Sequence, residues 1–137
     1  MKPHVNNHVF SNCVLVTGFM LLIMAGGCGY DGPSLAVKEL KAALESPDKN
    51  LTVIDVRPKS QFDKGHVPGA KNLPLEEIEK KIEAIASMNG EVAIICTCGK
   101  RSLAAVKQLA DKGITTTLVK GGMKKWKAEG YPKEKSK

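Results

Sequence analysis

The sequence predicts an α/β fold of three layers, a parallel sheet with helices on both faces, and three observations carry that expectation. Residues 51–56 (LTVIDV), 92–96 (VAIIC) and 115–119 (TTTLV) are β-branched runs with no alternating charged face, as strands buried on both sides require. Beside them, apolar residues recur at helical spacing. Strand and helix alternate along the chain, the order that builds a parallel sheet through right-handed crossovers.

The first element expected is a helix, because Val37, Leu40 and Leu44 fall at i, i+3 and i+7 before Ser46 and Pro47 stop it. The run 51–56 follows, bounded by Asn50 and Pro58, and leads into a loop containing DKGHVPGA. Leu75, Ile78, Ile82 and Ile85 then repeat at i, i+3, i+7 and i+10. That spacing predicts an amphipathic helix with Pro74 before it, Glu76 and Glu77 in its positive first turn and Gly90 beyond its end. VAIIC passes through a loop into a helix marked by Leu103, Val106 and Leu109, with Gly113 past its end. After TTTLV, Gly121 and Gly122 turn the chain into a short helix that carries Met123 and Trp126, the latter a core anchor.

One domain is expected from 137 residues, of which 26% are charged and 42% hydrophobic, the composition of a soluble globular protein. The run VLVTGFMLLIMAGG at 14–27 is uncharged, preceded by Lys2 and shorter than the roughly 20 residues of a spanning helix. Ending in small residues, it reads as an export signal. Cys28 directly after Ala25, Gly26 and Gly27 resembles a bacterial lipobox, in which the cysteine becomes the mature N-terminus and its thiol receives diacylglycerol. A plain cleaved signal and an uncleaved anchor are the alternatives. All three place the domain outside the cytosol, in the bacterial cell envelope at a periplasmic or extracytoplasmic face.

The division expected is a signal at 1–27, a linker at 28–34 ending in GYDGPS, a domain at 35–132 and a basic tail at 133–137. Removing 27 of the 137 residues would leave 110 and lower the net charge from +7 to +6 by the loss of Lys2. In that compartment nucleic acid is not an expected partner, whereas the membrane is one through the lipid. The lysines of KKWKAEGYPKEKSK then read as a solvated face.

In an open parallel sheet, ligands bind at the carboxyl ends of the strands, and AIICTCGKRS, residues 93–102, lies at such an end. Here a strand runs through a loop into a helix, so loop N–H groups and the helix terminus converge near the Cys96 sulfur. A helix N-terminus and nearby cations favour the thiolate, and Lys100 and Arg101 supply the charge. Gly99 lets the backbone turn so that several N–H groups aim at one point. The loop suits a sulfur anion, thiolate or persulfide. At Cys98 two readings stay open. It is a small residue tolerated in a loop, or a resolving thiol that attacks a Cys96 persulfide and forms a strained, easily reduced disulfide. Structural zinc takes about four ligands, and His66 is the only histidine in the expected domain, so neither metal nor cofactor is expected.

CTCGKRS resembles the active-site loop of the rhodanese family, IDVRPKSQFDKGHVPGAKNLPL resembles that family's upstream signature, and GGMKKWKAEGYP is similar to its C-terminal segment. The resemblance covers Leu35 to Pro132 and implies a rhodanese-like three-layer sandwich that transfers sulfur. It implies that Cys96 takes sulfane sulfur from a small sulfur-containing anion such as thiosulfate, and that a thiol or cyanide-like acceptor then attacks the persulfide. It further implies that Arg101 holds the oxyanion, that N–H groups from Thr97 to Arg101 cradle the outer sulfur, and that Ser102 begins the following helix. Thr97, Cys98, Gly99, Lys100 and Ser102 would thus form the substrate-binding loop.

Related phosphatases place five residues between cysteine and arginine. Here four, Thr97 to Lys100, enclose a space suited to sulfur and tight for a tetrahedral phosphate. Asp55 and Arg57, at the end of the first long strand, read as an ion pair that fixes the loops or as a substrate contact. His66 is expected to hydrogen-bond its own loop. The rival function is a non-enzymatic persulfide or metal relay that uses Cys96 and Cys98 to pass cargo to a partner. Intact Cys96 and Arg101 favour the enzyme, expected to act as a monomer.

Overall fold

The structure, a computed structural model, describes residues 30–47 and 50–136. The expected export signal and Cys28 lie outside the described residues. Five strands, β1 (Ser34–Ala36), β2 (Leu51–Asp55), β3 (Lys71–Asn72), β4 (Glu91–Ile95) and β5 (Thr117–Lys120), form one sheet in the order β1-β5-β4-β2-β3, and every neighbouring pair is parallel. Among the described residues five α-helices accompany them: α1 (Val37–Glu45), α2 (Lys59–Phe62), α3 (Ile82–Ala86), α4 (Lys100–Asp111) and α5 (Gly122–Ala128).

Alternation along the strands divides the core in two. Val53, Ala93, Ile95 and Val119 face the layer of α1 and α5, where they meet Leu40, Met123 and Trp126. Ile54, Ile94 and Leu118 face the opposite layer and meet Val106 and Leu109 of α4 and Ile85 of α3. Both faces of the central strands are thereby covered, which is why those strands lack a polar face. Each such Ile or Leu, nearly free of solvent, contributes about 1.5–3 kcal/mol relative to an exposed side chain.

The chain leaves β2 toward β3 on one side and leaves β4 toward β5 on the other. A crevice between the carboxyl ends of β2 and β4 follows from that divergence, the place where open α/β sheets take ligands.

Several elements differ from the sequence expectation. The sheet begins inside the expected linker, since Ser34 pairs with Leu118 and the Leu118 N–H donates to the Pro33 carbonyl at 2.9 Å. Instead of one helix over 75–85 there are 3₁₀ turns at Leu75–Glu77 and Glu79–Lys81, followed by α3. Ile78 and Ile85 are buried as the stripe requires. An i, i+3 repeat places residues on one face in either kind of turn, and the β-branched isoleucines favour the α-helix only weakly. α2 and β3 were not anticipated, being four and two residues long. The tail is not wholly free, because Glu134 and His66 exchange backbone hydrogen bonds of 3.0 and 2.9 Å.

Candidate active site

Cys96 is the first residue past β4, and its side chain continues the alternation of Ile94 toward α4, in a cluster with Val106 and Leu109. Only 1% of Cys96 is exposed. The backbone then reverses at Gly99, whose φ of +105° lies in the left-handed region that favours glycine, and α4 starts at Lys100. Ser102 is therefore the third residue of the helix and not its beginning.

The reversal brings donors onto the sulfur. The Gly99 N–H donates to Cys96 Sγ at 3.1 Å, and Ser102 Oγ lies 3.4 Å from the same sulfur. Ser102 Oγ also donates to the Gly99 carbonyl at 3.1 Å. Burial by itself pushes the Cys96 thiol up. The Ser102 hydroxyl and the backbone N–H groups of Ser102, Gly99 and Cys98 outweigh burial by hydrogen-bonding the anion, so the thiol lies below its ordinary value. The positive end of the twelve-residue α4 acts in the same direction.

A second element holds the loop from behind. The N–H groups of Met123 and Lys124, in the first turn of α5, donate to the carbonyls of Cys96 and Thr97, both at 2.8 Å. Gly122 has a φ of +55°, and a Cβ there would stand 2.4 Å from the Cys96 carbonyl oxygen. The approach is possible only for glycine. Gly121 and Gly122 are expected only as a turn; the buttress is additional, and two adjacent glycines directly before a helix are its one signal in the sequence.

The structure brings together Cys96, the Cys98 and Gly99 backbone, and Ser102. Thr97, Cys98, Lys100 and Arg101 are exposed. Thr97 Oγ1 donates to Gln61 Oε1 at 3.2 Å, and Cys98 is a free thiol, as is Cys96. The Arg101 guanidinium makes no hydrogen bond or ion pair among the described residues, so it is available to an anion. No group of three His, Cys, Asp or Glu side chains that could hold a metal ion occurs among the described residues.

Asp55 and Arg57 take the first of their two expected roles. Asp55 is 0% and Arg57 3% exposed. Arg57 Nε donates to both carboxylate oxygens at 2.9 Å, its terminal nitrogen to Oδ2 at 2.6 Å and to the Gly65 carbonyl at 3.0 Å. Asn72 Nδ2 ties the same corner by donating to the carbonyls of Asp55 and Arg57 at 2.9 and 2.8 Å. The His66 side chain makes the local hydrogen bond expected of it, Nδ1 pairing with the Phe62 carbonyl at 3.0 Å and the two rings stacking at 3.6 Å, while Nε2 faces Glu134 of the tail at 3.9 Å. Trp126 is buried and donates to the Pro132 carbonyl at 2.8 Å.

An open groove of about 410 Å³ lies where these elements meet. Buried Arg57 and Met123 and exposed Gln61 and Thr97 line it. Exposed Lys64, Lys124 and Lys127 complete its lining.

Comparison with known proteins gives a consistent result. Residues 36–129 match the rhodanese-like domain family. YtwF of Bacillus subtilis, which bears a provisional sulfurtransferase name, is 33% identical over 99 residues, 72% of this chain and 94% of that protein. Thiosulfate sulfurtransferase PspE of Escherichia coli is 38% identical over 72 residues, 52% of this chain and 69% of that one. YrkF of B. subtilis, provisionally named a sulfur carrier, is longer: 33% identity over 95 residues spans 69% of this chain and half of YrkF. Among solved structures, the rhodanese-like domain protein of Staphylococcus aureus is 31% identical with a TM-score of 0.68, over 77% of this chain and 99% of that one.

Proposed function

Because the chain belongs to the rhodanese-like domain family, with relatives named for sulfur transfer and sulfur carriage, we propose that it moves sulfane sulfur from a small anionic donor such as thiosulfate to a thiophilic acceptor through a persulfide on Cys96. The observation that carries this reading is the buried Cys96 sulfur, with the Gly99 N–H at 3.1 Å, Ser102 Oγ at 3.4 Å and a thiol held below its ordinary value.

The chemistry follows from that geometry. The Cys96 thiolate attacks the outer sulfur of thiosulfate, the S–S bond breaks, and sulfite leaves with the electron pair. The outer sulfur, now on Cys96, carries the negative charge, and the N–H groups of the loop and the helix terminus meet it. Arg101, without a hydrogen bond or ion pair among the described residues, would hold the sulfonate oxygens as they arrive and depart. An acceptor such as cyanide then attacks the outer sulfur and restores the Cys96 thiolate, with no external oxidant or reductant. The relative named a thiosulfate sulfurtransferase supports thiosulfate as the donor.

With thiosulfate and cyanide, the protein is expected to form thiocyanate, and Cys96→Ser to lower the rate by roughly 10³-fold or more per molecule of folded protein. Undiminished turnover by Cys96→Ser would reject the nucleophile. We further propose that the protein is exported and lipid-anchored through Cys28. Intact mass after expression in a bacterium should show an acylated Cys28 at the mature N-terminus, and Cys28→Ser should free the protein from membranes.

A further inference from the structure

Cys98 is a second nucleophile, beside the first, that the mechanism above leaves unused. We propose that it is a second sulfur station: once a donor has charged Cys96, the outer sulfur moves to Cys98 and passes from there to a cysteine thiol on the surface of another protein, an acceptor too large to reach Cys96. This rests on the sulfurtransferase reading above.

Three observations lead there. First, the two thiols differ in access. Both are free, but Cys96 is 1% exposed in the cluster with Val106 and Leu109, whereas Cys98 is exposed. A folded protein can touch the second and not the first. Second, the thiols are close. The Gly99 N–H donates to Cys96 Sγ at 3.1 Å, and its nitrogen is bonded to the Cys98 carbonyl carbon, so standard bond lengths place Cys98 Cα within about 5.5 Å of the Cys96 sulfur. The Cys98 thiol extends from that Cα on a side chain that can change rotamer, and the outer sulfur of a persulfide projects about 2 Å from the inner one. Third, the packing around Cys96 decides which sulfur is attacked. The inner one already takes the Gly99 N–H and lies 3.4 Å from Ser102 Oγ, with apolar side chains about it. Attack there would require the loop to open and would join the cysteines in a strained disulfide. Attack on the outer sulfur requires neither, and it makes Cys96 the leaving group. The donors that hold the Cys96 thiol below its ordinary value suit it to that role, because a thiol of lower pKa leaves faster.

The step balances within the loop. The Cys98 thiolate attacks the outer sulfur of the protonated Cys96 persulfide, the S–S bond breaks, and Cys96 leaves as thiolate with the electron pair while Cys98 becomes the persulfide. One S–S bond replaces another, so no oxidant or reductant is consumed. The acceptor thiolate then attacks the outer sulfur on Cys98, the new S–S bond breaks, Cys98 leaves as thiolate, and the acceptor departs as its persulfide.

The test charges the whole protein with thiosulfate in the absence of an acceptor, blocks it with iodoacetamide and locates the added sulfur by fragment mass. Thr97 lies between the two cysteines, so fragmentation assigns the sulfur to one or the other. The wild type should carry it on Cys98 as well as Cys96, Cys98→Ser on Cys96 alone, and Cys96→Ser on neither. Two acceptors then measure delivery: a small folded domain with one engineered surface cysteine, and cyanide as the reference that reaches Cys96 itself. In Cys98→Ser the ratio of the transfer rate to the domain over that to cyanide should fall about tenfold. A ratio unmoved by the substitution, or a fall shared equally by both acceptors, overturns the relay. Sulfur on Cys96 alone in the wild type overturns the relay and keeps the sulfurtransferase reading, whereas sulfur on neither cysteine overturns both, so the two fail separately. Release of sulfide with the loss of two hydrogens would show that Cys98 resolves the persulfide to a disulfide, and would overturn the relay as well. Sulfur on Cys98 in Cys96→Ser would make Cys98 the donor's own target and overturn the order of the two stations.

Discussion

Two polar corners sit side by side at the same end of the sheet, one after β2 and one after β4, and they are finished in opposite ways. At the β2 corner, Asp55 and Arg57 are buried and matched to each other, with the Gly65 carbonyl and Asn72 completing the set. At the β4 corner, donors converge on Cys96, while Lys100 and Arg101 are exposed and make no ion pair among the described residues. A corner whose charges are cancelled internally can only hold the backbone. One whose donors face a single ionisable sulfur can stabilise a charge that appears during a reaction. The carboxyl edge of the sheet thus contains, on the neighbouring strands β2 and β4, a scaffold corner and a corner that the proposed function makes the reactive one.

The largest effect should come from breaking the scaffold corner. Asp55→Ala leaves the Arg57 guanidinium buried without its counter-ion, and removal of one partner from such a pair costs about 3–5 kcal/mol. Denaturant unfolding should show that loss, whereas turnover per folded molecule changes little under conditions where the variant remains native. An Asp55→Ala protein that is as stable as the wild type but inactive would place this corner in the chemistry and erase the contrast.

The next effect links the two kinds of role. Gly122→Ala would force a side chain into a left-handed conformation and place its Cβ 2.4 Å from the Cys96 carbonyl oxygen. The strained backbone costs about 1–3 kcal/mol. The loop must also move, and displacement of a nucleophile by a fraction of an ångström to 1 Å costs up to roughly 10²-fold in rate. Stability and sulfur transfer should therefore fall together, unlike in Asp55→Ala. Thiocyanate formation measured beside the unfolding midpoint separates the two patterns.

The parts visible in the sequence were those that a long run of similar residues encodes. β2, β4 and β5 were legible from β-branched runs, and α1 and α4 from apolar stripes, because each pattern directly reflects which faces are buried. The turn at Gly99 and the donors it aims at the Cys96 sulfur were legible because a glycine between a buried run and a helical stripe marks a tight strand-to-helix turn. The short pieces were not. β1 has only Leu35 as an apolar residue directed into the core, and it exists because β5 offers an edge to pair with. The 3₁₀ turns share the i, i+3 spacing of an α-helix, so the stripe through Ile78 and Ile85 could not separate them. The groove was invisible for another reason: Lys64, Lys124 and Lys127 are joined by topology across distant segments, and each alone reads as an ordinary solvated lysine.

The smallest effect should come from Ser102, and it sharpens what the reactive corner does. A hydroxyl has one proton. When Cys96 is a neutral thiol, its S–H can donate to Ser102 Oγ while that hydroxyl donates to the Gly99 carbonyl, contacts of 3.4 and 3.1 Å. When Cys96 ionises, the same hydroxyl can turn toward the sulfur, so the anion is favoured selectively. Ser102→Ala removes this donor but keeps the N–H groups of Ser102, Gly99 and Cys98, and the Cys96 thiol should move upward toward its ordinary value without losing its other support. The acidic limb of the pH–rate profile should shift to higher pH, so that turnover is reduced near neutrality and approaches the wild-type rate in alkali. The sign for stability follows. A group whose folded pKa is depressed adds stability above its unfolded pKa and loses it as pH falls through the folded value, so Ser102→Ala should cost more stability at alkaline than at acid pH. Titration of the thiolate by its ultraviolet absorbance checks the pKa directly. An unmoved limb would leave the backbone N–H groups as the only source of the Cys96 anion's support.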